Sequence, residues 1–252
     1  MNQKEGIEVK RETDLGVIIE KPSWYEIAEQ KFQDSDRVYY GHNFQDEILH
    51  VRHRGLDIAF ASGQGSPIAA CKVERLRVYG AKAIARIGTC GALLESMTLW
   101  DPIITTSCFS DEGTSGHYLP SGYPITSDPG LDNEIRKEFY KQQMNWQEGP
   151  TITSDGRWKE DVQLMKELSE IGVRSIEMET SAILAVCLHR KLPASAINIP
   201  TDVAVAHSES DLQGVPDRDS YTDRLHKVLG TVIPVTVNAL VNRYEELFTD
   251  KH

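Results

Sequence analysis

Three short segments place polar or charged groups beside glycines or inside apolar runs, where they could do chemistry. The first is Ser62-Gly-Gln-Gly65, directly ahead of a helix start at Ser66-Pro67. Small residues let a ligand approach the backbone, and free N–H groups at a helix N-terminus favour an anion. Ile68 stands where a dinucleotide fingerprint needs its third glycine, so that motif is excluded and a tight turn is the competing reading. The second is Ala85-Arg-Ile-Gly-Thr-Cys-Gly91. Arg86 lies within an apolar strand, where an unpaired guanidinium is costly, so it needs either an internal carboxylate or a bound anion. Thr89 and the adjoining glycines supply a hydroxyl and open N–H groups that complement an anion. The third is Ile176-Glu-Met-Glu179. Acids at a helix start commonly cap it; alternatively, a carboxylate there matches two vicinal sugar hydroxyls with its two oxygens.

The elements around these segments alternate. Leu15 to Ile19 reads as a buried strand, Trp24 to Phe32 as a short helix, and Glu47–His53 with Leu56–Ala61 as two strands around the turn Arg54-Gly55. Ser66 caps a helix with Pro67 at its first position, running to about Tyr79 and ended by Gly80. With the strand Ala83–Gly88 this makes one βαβ unit. Pro102 to Phe109 is a strand, Asp128-Pro129 begins a helix to about Met144, Thr151–Ser154 is a short strand, and Lys159–Glu170 a helix. Ser175–Met178, the helix Thr180–Arg190 and the strand Ala194–Ile199 read as a second βαβ unit. A final helix from near Ser220 to Phe248 should kink or split at Pro234. The pattern predicts a single α/β domain over 1–252, a mixed and largely parallel central sheet flanked by helices, with residues 1–14 loosely ordered. Ligands in such sheets sit at the carboxyl ends of strands, where the three segments fall.

Composition narrows the function. The 252 residues carry 27 Lys and Arg against 38 Asp and Glu, a formal charge of −11, which disfavours nucleic acid as a partner. The longest apolar stretch, Val228 to Val241, is broken by Pro234 and Asn238 and is too short to span a bilayer. The polar start MNQKEGIEVKRETD has no signal-peptide core, so a cytoplasmic protein is expected. Cys71, Cys90, Cys108 and Cys187 form no C-x-x-C pair and read as buried free thiols, with no metal site.

Arg86-Ile-Gly-Thr-Cys-Gly91, Glu177-Met-Glu179 and Thr201-Asp202, in that order and with 23 residues from Glu179 to Asp202, resemble the nucleoside phosphorylase family of purine nucleoside and uridine phosphorylases. The resemblance covers roughly residues 15 to 245 and implies an α/β sandwich around a partly barrel-like sheet. It implies a dimer or hexamer with sites near the dimer interface, and phosphorolysis of nucleosides with inorganic phosphate as co-substrate and no cofactor. Residue by residue, it implies that Arg86, Thr89 and Gly65 bind phosphate, that Glu179 takes the ribose diol and that Met178 packs on the sugar. Asp202 would protonate a purine leaving group at N7, and Trp158 or Arg157 would meet the base. The chemistry is coherent. Breaking a ribosyl C–N bond builds positive charge on the sugar and negative charge on the base, so an anion on one side and an acid on the other stabilise it.

The chain departs from the family after its first strand. The family has Gly-Asp-Pro there, with an arginine two residues on; this chain has Glu20-Lys-Pro-Ser-Trp24. Pro22 survives, Trp24 replaces the arginine, and Lys21 offers a point charge. Related nucleosidases place a glutamate in this first loop, a neighbourhood that Trp24 fills in the linear comparison. The cross-subunit arginine has no counterpart near His42-Asn43, and Arg52 and Arg54 are the nearby basic residues. A uridine phosphorylase, a hydrolytic nucleosidase and a non-catalytic nucleoside-binding protein on the same fold stand as the alternatives to a purine enzyme.

Overall fold

Runs of valine, isoleucine and small apolar residues become strands here, and the residues that punctuate them become turns and helix starts. The computed structural model describes residues 2–4, 7–40, 46–94, 96–157, 161–204 and 218–249. In chain order it contains β1 (Asn2–Lys4), β2 (Ile7–Val9), β3 (Leu15–Ile19), α1 (Tyr25–Lys31), β4 (Ser35–Tyr40), β5 (Asp46–His53) and β6 (Leu56–Ser62). There follow α2 (Ser66–Tyr79), β7 (Ile84–Ala92), β8 (Ile103–Asp111), β9 (Ile125–Thr126), α3 (Pro129–Lys141) and β10 (Gln147–Ser154). The chain then forms α4 (Val162–Glu170), β11 (Ser175–Glu177), α5 (Thr180–Arg190), β12 (Ala194–Val203) and α6 (Arg218–Phe248).

The main sheet runs β11-β10-β8-β12-β7-β3-β6-β5-β4, with β9 added to β8 and a further pairing of β11 to β7. That last pairing closes β7, β12, β8, β10 and β11 into a ring, so half of the sheet is a small barrel and the other half an open extension. The expected α/β class with a mixed sheet and flanking helices holds. The long central pairings, β3 with β6 and β7, β7 with β12, and β8 with β10, are parallel. The barrel is joined across β8 and β12 by antiparallel pairing, Ala196 opposite Thr105.

Both faces of the sheet are covered. One core unites β3, β6 and β7 residues with α1, α3 and α6 through Leu15, Phe60, Ile87, Phe139 and Leu240. The other packs α2 and α5 through Ile18, Val73, Leu76, Ile183 and Leu184. Gly16 is required at the contact with α2, because an added Cβ would lie 2.5 Å from Ile84 and 2.9 Å from Leu76.

Several expectations are corrected. The unit β11-α5-β12 is not a parallel crossover: β11 pairs antiparallel to β7, whereas β12 pairs parallel to it. Three-residue β11 is the strand that closes the ring, and its direction follows β10, to which it is parallel. Ser66 is the first helical residue of α2 rather than its cap; Gly65 stands at the cap with φ of 80°, and the Ser66 hydroxyl donates to the Met178 carbonyl at 2.8 Å. The β4 strand was not expected, because SDRVYY is an edge strand with polar residues on its open face. Strand β10 starts at Gln147 and β12 runs on to Val203, while α3 ends at Lys141. Helix α4 begins at Val162, with Asp161 accepting from the Gln163 N–H at 2.9 Å. Of the two outcomes expected at Pro234, a kink or a split, the split does not occur: α6 runs through it as one helix. Within the N-terminal segment, β1 and β2 pair with each other, and buried Thr13 donates its hydroxyl to the carbonyls of Leu15 and Asp57 at 2.9 and 2.8 Å. Only Cys90 and Cys187 are buried; Cys108 is half-buried, and Cys71 is exposed on the solvent side of α2. No described helix is long and apolar enough to cross a membrane.

Candidate active site

Parallel register brings the three segments to one end of the sheet. Ile19 of β3 lies opposite Ile87 of β7, and Thr89 of β7 lies opposite Ile199 of β12. The strand-end residues Glu20, Thr89 and Asp202 therefore belong to one edge, although 182 positions separate the first from the last. The loop 63–65 and the start of α5 reach the same edge, since the Gly65 N–H donates to Glu179 Oε1 at 2.6 Å.

Arg86 is 2% exposed and finds both kinds of neutral and charged partner inside the protein. Its Nη2 lies 2.5 Å from Glu179 Oε2 and 3.0 Å from Glu177 Oε2, and its Nη1 donates to the Asn198 side-chain oxygen. The guanidinium lies over Gly88, where a Cβ would come within 2.4 Å of its central carbon. Asn198 in turn donates to Thr105 Oγ1 at 2.9 Å, and Thr105, Thr151 and Ser175 continue as a hydroxyl chain at 2.8 and 2.9 Å. This polar seam explains how a charge and an amide survive within the barrel.

The two acids divide the roles that the sequence leaves open. Glu177 is the helix cap: its Oε2 accepts the N–H groups of Glu179 and Thr180, both at 2.8 Å, and its Oε1 accepts the Thr153 hydroxyl. Glu179 makes no capping bond; its carboxylate meets Gly65 and Arg86 instead. Burial pushes the Glu179 carboxyl above its ordinary range; Arg86 opposes that rise and Glu177 adds to it.

Thr89 directs its backbone N–H and its hydroxyl at one point. Both donate to the same oxygen, Oε2 of Glu20, at 2.9 and 2.6 Å. Glu20 is the residue that sequence reasoning passed over. Trp24, which the linear comparison set in this neighbourhood, is 2% exposed within the core beside α1. The signal available was the position of Glu20 immediately after a fully buried strand; the pairing of β3 with β7 that aims it at Thr89 is not visible in a linear reading. Lys21 stands 3.4 Å from Glu20 Oε1 and is half exposed.

Asp202 lies at the end of β12 opposite Gly91, just past a register shift after Pro200, and is half-buried. It accepts the Thr201 hydroxyl at 3.0 Å. Met178 is half-buried between the two acids. Arg157 is exposed in a turn after β10, while Trp158 and the pair His42-Asn43 lie outside the described residues. Arg54 is engaged with Asn242 and Glu245 of α6 at 2.7 and 2.6 Å. Among the described residues no group of three His, Cys, Asp or Glu side chains is placed to hold a metal ion.

The fold is a barrel-and-extension α/β sheet that gathers Arg86, Glu177, Glu179 and Asp202 at one strand edge. The model of the phosphorylase superfamily matches residues 18–233, and the chain belongs to that superfamily. It is 27% identical over 199 residues to guanosine phosphorylase of Halorubrum lacusprofundi, covering 79% of this chain and 81% of that protein. It is 28% identical over 145 residues to the DeoD-type purine nucleoside phosphorylase of Bacillus cereus, and the match spans 56% of this chain and 60% of the relative. Purine nucleoside phosphorylase from Toxoplasma gondii in complex with immucillin-H shares the fold with a TM-score of 0.81 at 19% identity, covering 96% and 99% of the two chains. Uridine phosphorylase from Vibrio fischeri does so with a TM-score of 0.77 at 22% identity and 93% coverage of each.

Proposed function

We propose that this chain is a nucleoside phosphorylase that cleaves purine nucleosides to free base and ribose 1-phosphate. The observation that carries the reading is the convergence of Thr89's two donors on one anionic oxygen, beside a buried Arg86–Glu179 pair at the carboxyl end of the sheet. Donors already aimed at an anion fit a phosphate oxygen, and Arg86 holds fixed positive charge behind them. Glu179 offers the ribose two carboxylate oxygens, with Gly65 and Arg86 keeping the group in place, and Met178 packs against the sugar. Asp202 delivers a proton to the leaving purine from the end of β12. Trp158 or Arg157 contacts the base. Inorganic phosphate is the co-substrate and no further cofactor enters. The protein works in the cytoplasm as a homo-oligomer, a dimer or hexamer.

The test is a panel of inosine, guanosine, adenosine and uridine incubated with and without phosphate, with the sugar product identified. Phosphate-dependent ribose 1-phosphate from purine nucleosides is expected. Free ribose, a preference for uridine, or no turnover would each replace this reading with a different one.

A further inference from the structure

We propose that Glu20 is an internal competitor of phosphate and thereby sets the affinity of the site for its nucleophile; the proposal rests on the phosphorolytic reading above. One oxygen of the Glu20 carboxylate already accepts both donors of Thr89, at 2.9 and 2.6 Å, and its side chain is only 12% exposed. An oxygen of a bound phosphate and this carboxylate oxygen require the same two hydrogens, so they exclude one another.

Charge points the same way. The buried cluster combines Arg86 with Glu177 and Glu179, and Glu20 adds a third carboxylate opposed by half-exposed Lys21. Arg86 also spends Nη1 on Asn198. A dianion entering beside three carboxylates and two cations meets net repulsion at short range. With Glu20 displaced, one anion replaces another at the Thr89 donors. Glu20 stands where the chain leaves β3 and is followed by a short turn, Pro22–Trp24, so rotation of one side chain is the motion required. Burial works against its ionisation, but the Thr89 hydrogen bonds, Lys21 and Arg86 outweigh it and hold the carboxyl below its usual range. The competitor is thus an anion under ordinary conditions. The measured phosphate affinity is then the intrinsic affinity reduced by the fraction of molecules in which Glu20 is displaced.

Calorimetric titration of inorganic phosphate into the full chain, without nucleoside, tests this for wild type, Glu20→Gln and Glu20→Ala. Both variants should bind phosphate about tenfold tighter or more, the worth of one charge-assisted hydrogen bond. The KM for phosphate should fall with it, at a melting temperature that shows the variants folded. Phosphate affinity unchanged or weakened in both folded variants, with ribose 1-phosphate still formed, would overturn the competitor while leaving phosphorolysis intact. Should wild type release free ribose in phosphate-free buffer and Glu20→Gln lose that activity, Glu20 acts on water, and both the competitor and the phosphorolytic reading fall together. If either variant does not fold, the other and Glu20→Asp, whose shorter side chain loosens both contacts, carry the same comparison.

Discussion

Glu179 and Asp202 are the side chains whose charge states decide the proposed chemistry. Glu179→Gln keeps the size of the group and leaves Glu177 paired to Arg86 at 3.0 Å. The fold should therefore persist while the charge that strengthens bonds to two ribose hydroxyls is lost. We expect kcat/KM on ribonucleosides to fall about a hundredfold, roughly 2–3 kcal/mol of transition-state binding; near-normal activity would remove Glu179 from the sugar site. Asp202→Asn should slow inosine cleavage by about a hundredfold or more, the usual scale for a lost general acid. The same variant should barely affect 7-methylguanosine, whose base leaves without needing a proton. Equal losses on both substrates would make Asp202 structural. The residue types at these positions are readable in the linear chain. The assignment of helix capping to Glu177 and not Glu179 is not, because it depends on which carboxylate the first turn of α5 meets.

At the scale of elements, the N-terminal segment, β5 and β6 are joined through one carboxylate. Asp57 accepts from Arg11 Nε at 2.8 Å and lies 2.7 Å from His50 Nδ1, and its backbone N–H donates to Asp14 at 2.8 Å. Burial pushes the Asp57 carboxyl up, but the His50 hydrogen bond and Arg11 outweigh it and hold it below the ordinary 3.8. A lowered carboxyl contributes stability that is complete above the ordinary value and disappears as pH falls through the lowered one. Thermal melts between pH 6 and pH 2 should therefore show a destabilisation below about pH 3.8. Asp57→Asn should reduce that acid-side slope and lower the melting temperature at neutral pH; parallel profiles for the two proteins would dismiss the linkage. Elements with a strong local signal, such as Thr180–Arg190, match the sequence reading residue for residue. Edge strand β4 and the direction of β11 do not, since their residues answer to neighbours distant in the chain.

The whole molecule depends on Arg86 in a way that its proposed role at the phosphate does not reveal. It is 2% exposed and joins β7 to β12, two strands of the closed ring, and to the start of α5. Arg86→Ala removes one partner of a buried ionic cluster and leaves two carboxylates facing each other. The cost should be about 3–5 kcal/mol, a large part of the roughly 5–15 kcal/mol that holds a domain together. Denaturant unfolding should show that loss even without substrate. A variant with wild-type stability and a raised KM for phosphate would instead make Arg86 purely a ligand-facing group.

By itself the sequence determined the α/β class, the order of most helices and strands, and the three segments rich in chemistry. Each of these depends on local periodicity, capping residues and glycines within a few positions of one another. Only the tertiary structure decided that the sheet closes through β11, that Trp24 is core and that Glu20 faces Thr89. It also decided that Arg86 is satisfied by Glu177, Glu179 and Asn198. The physical reason is the same in each case. These contacts join segments that lie far apart along the backbone, and the pairing and register of strands, which no short window of sequence contains, decide which of them meet.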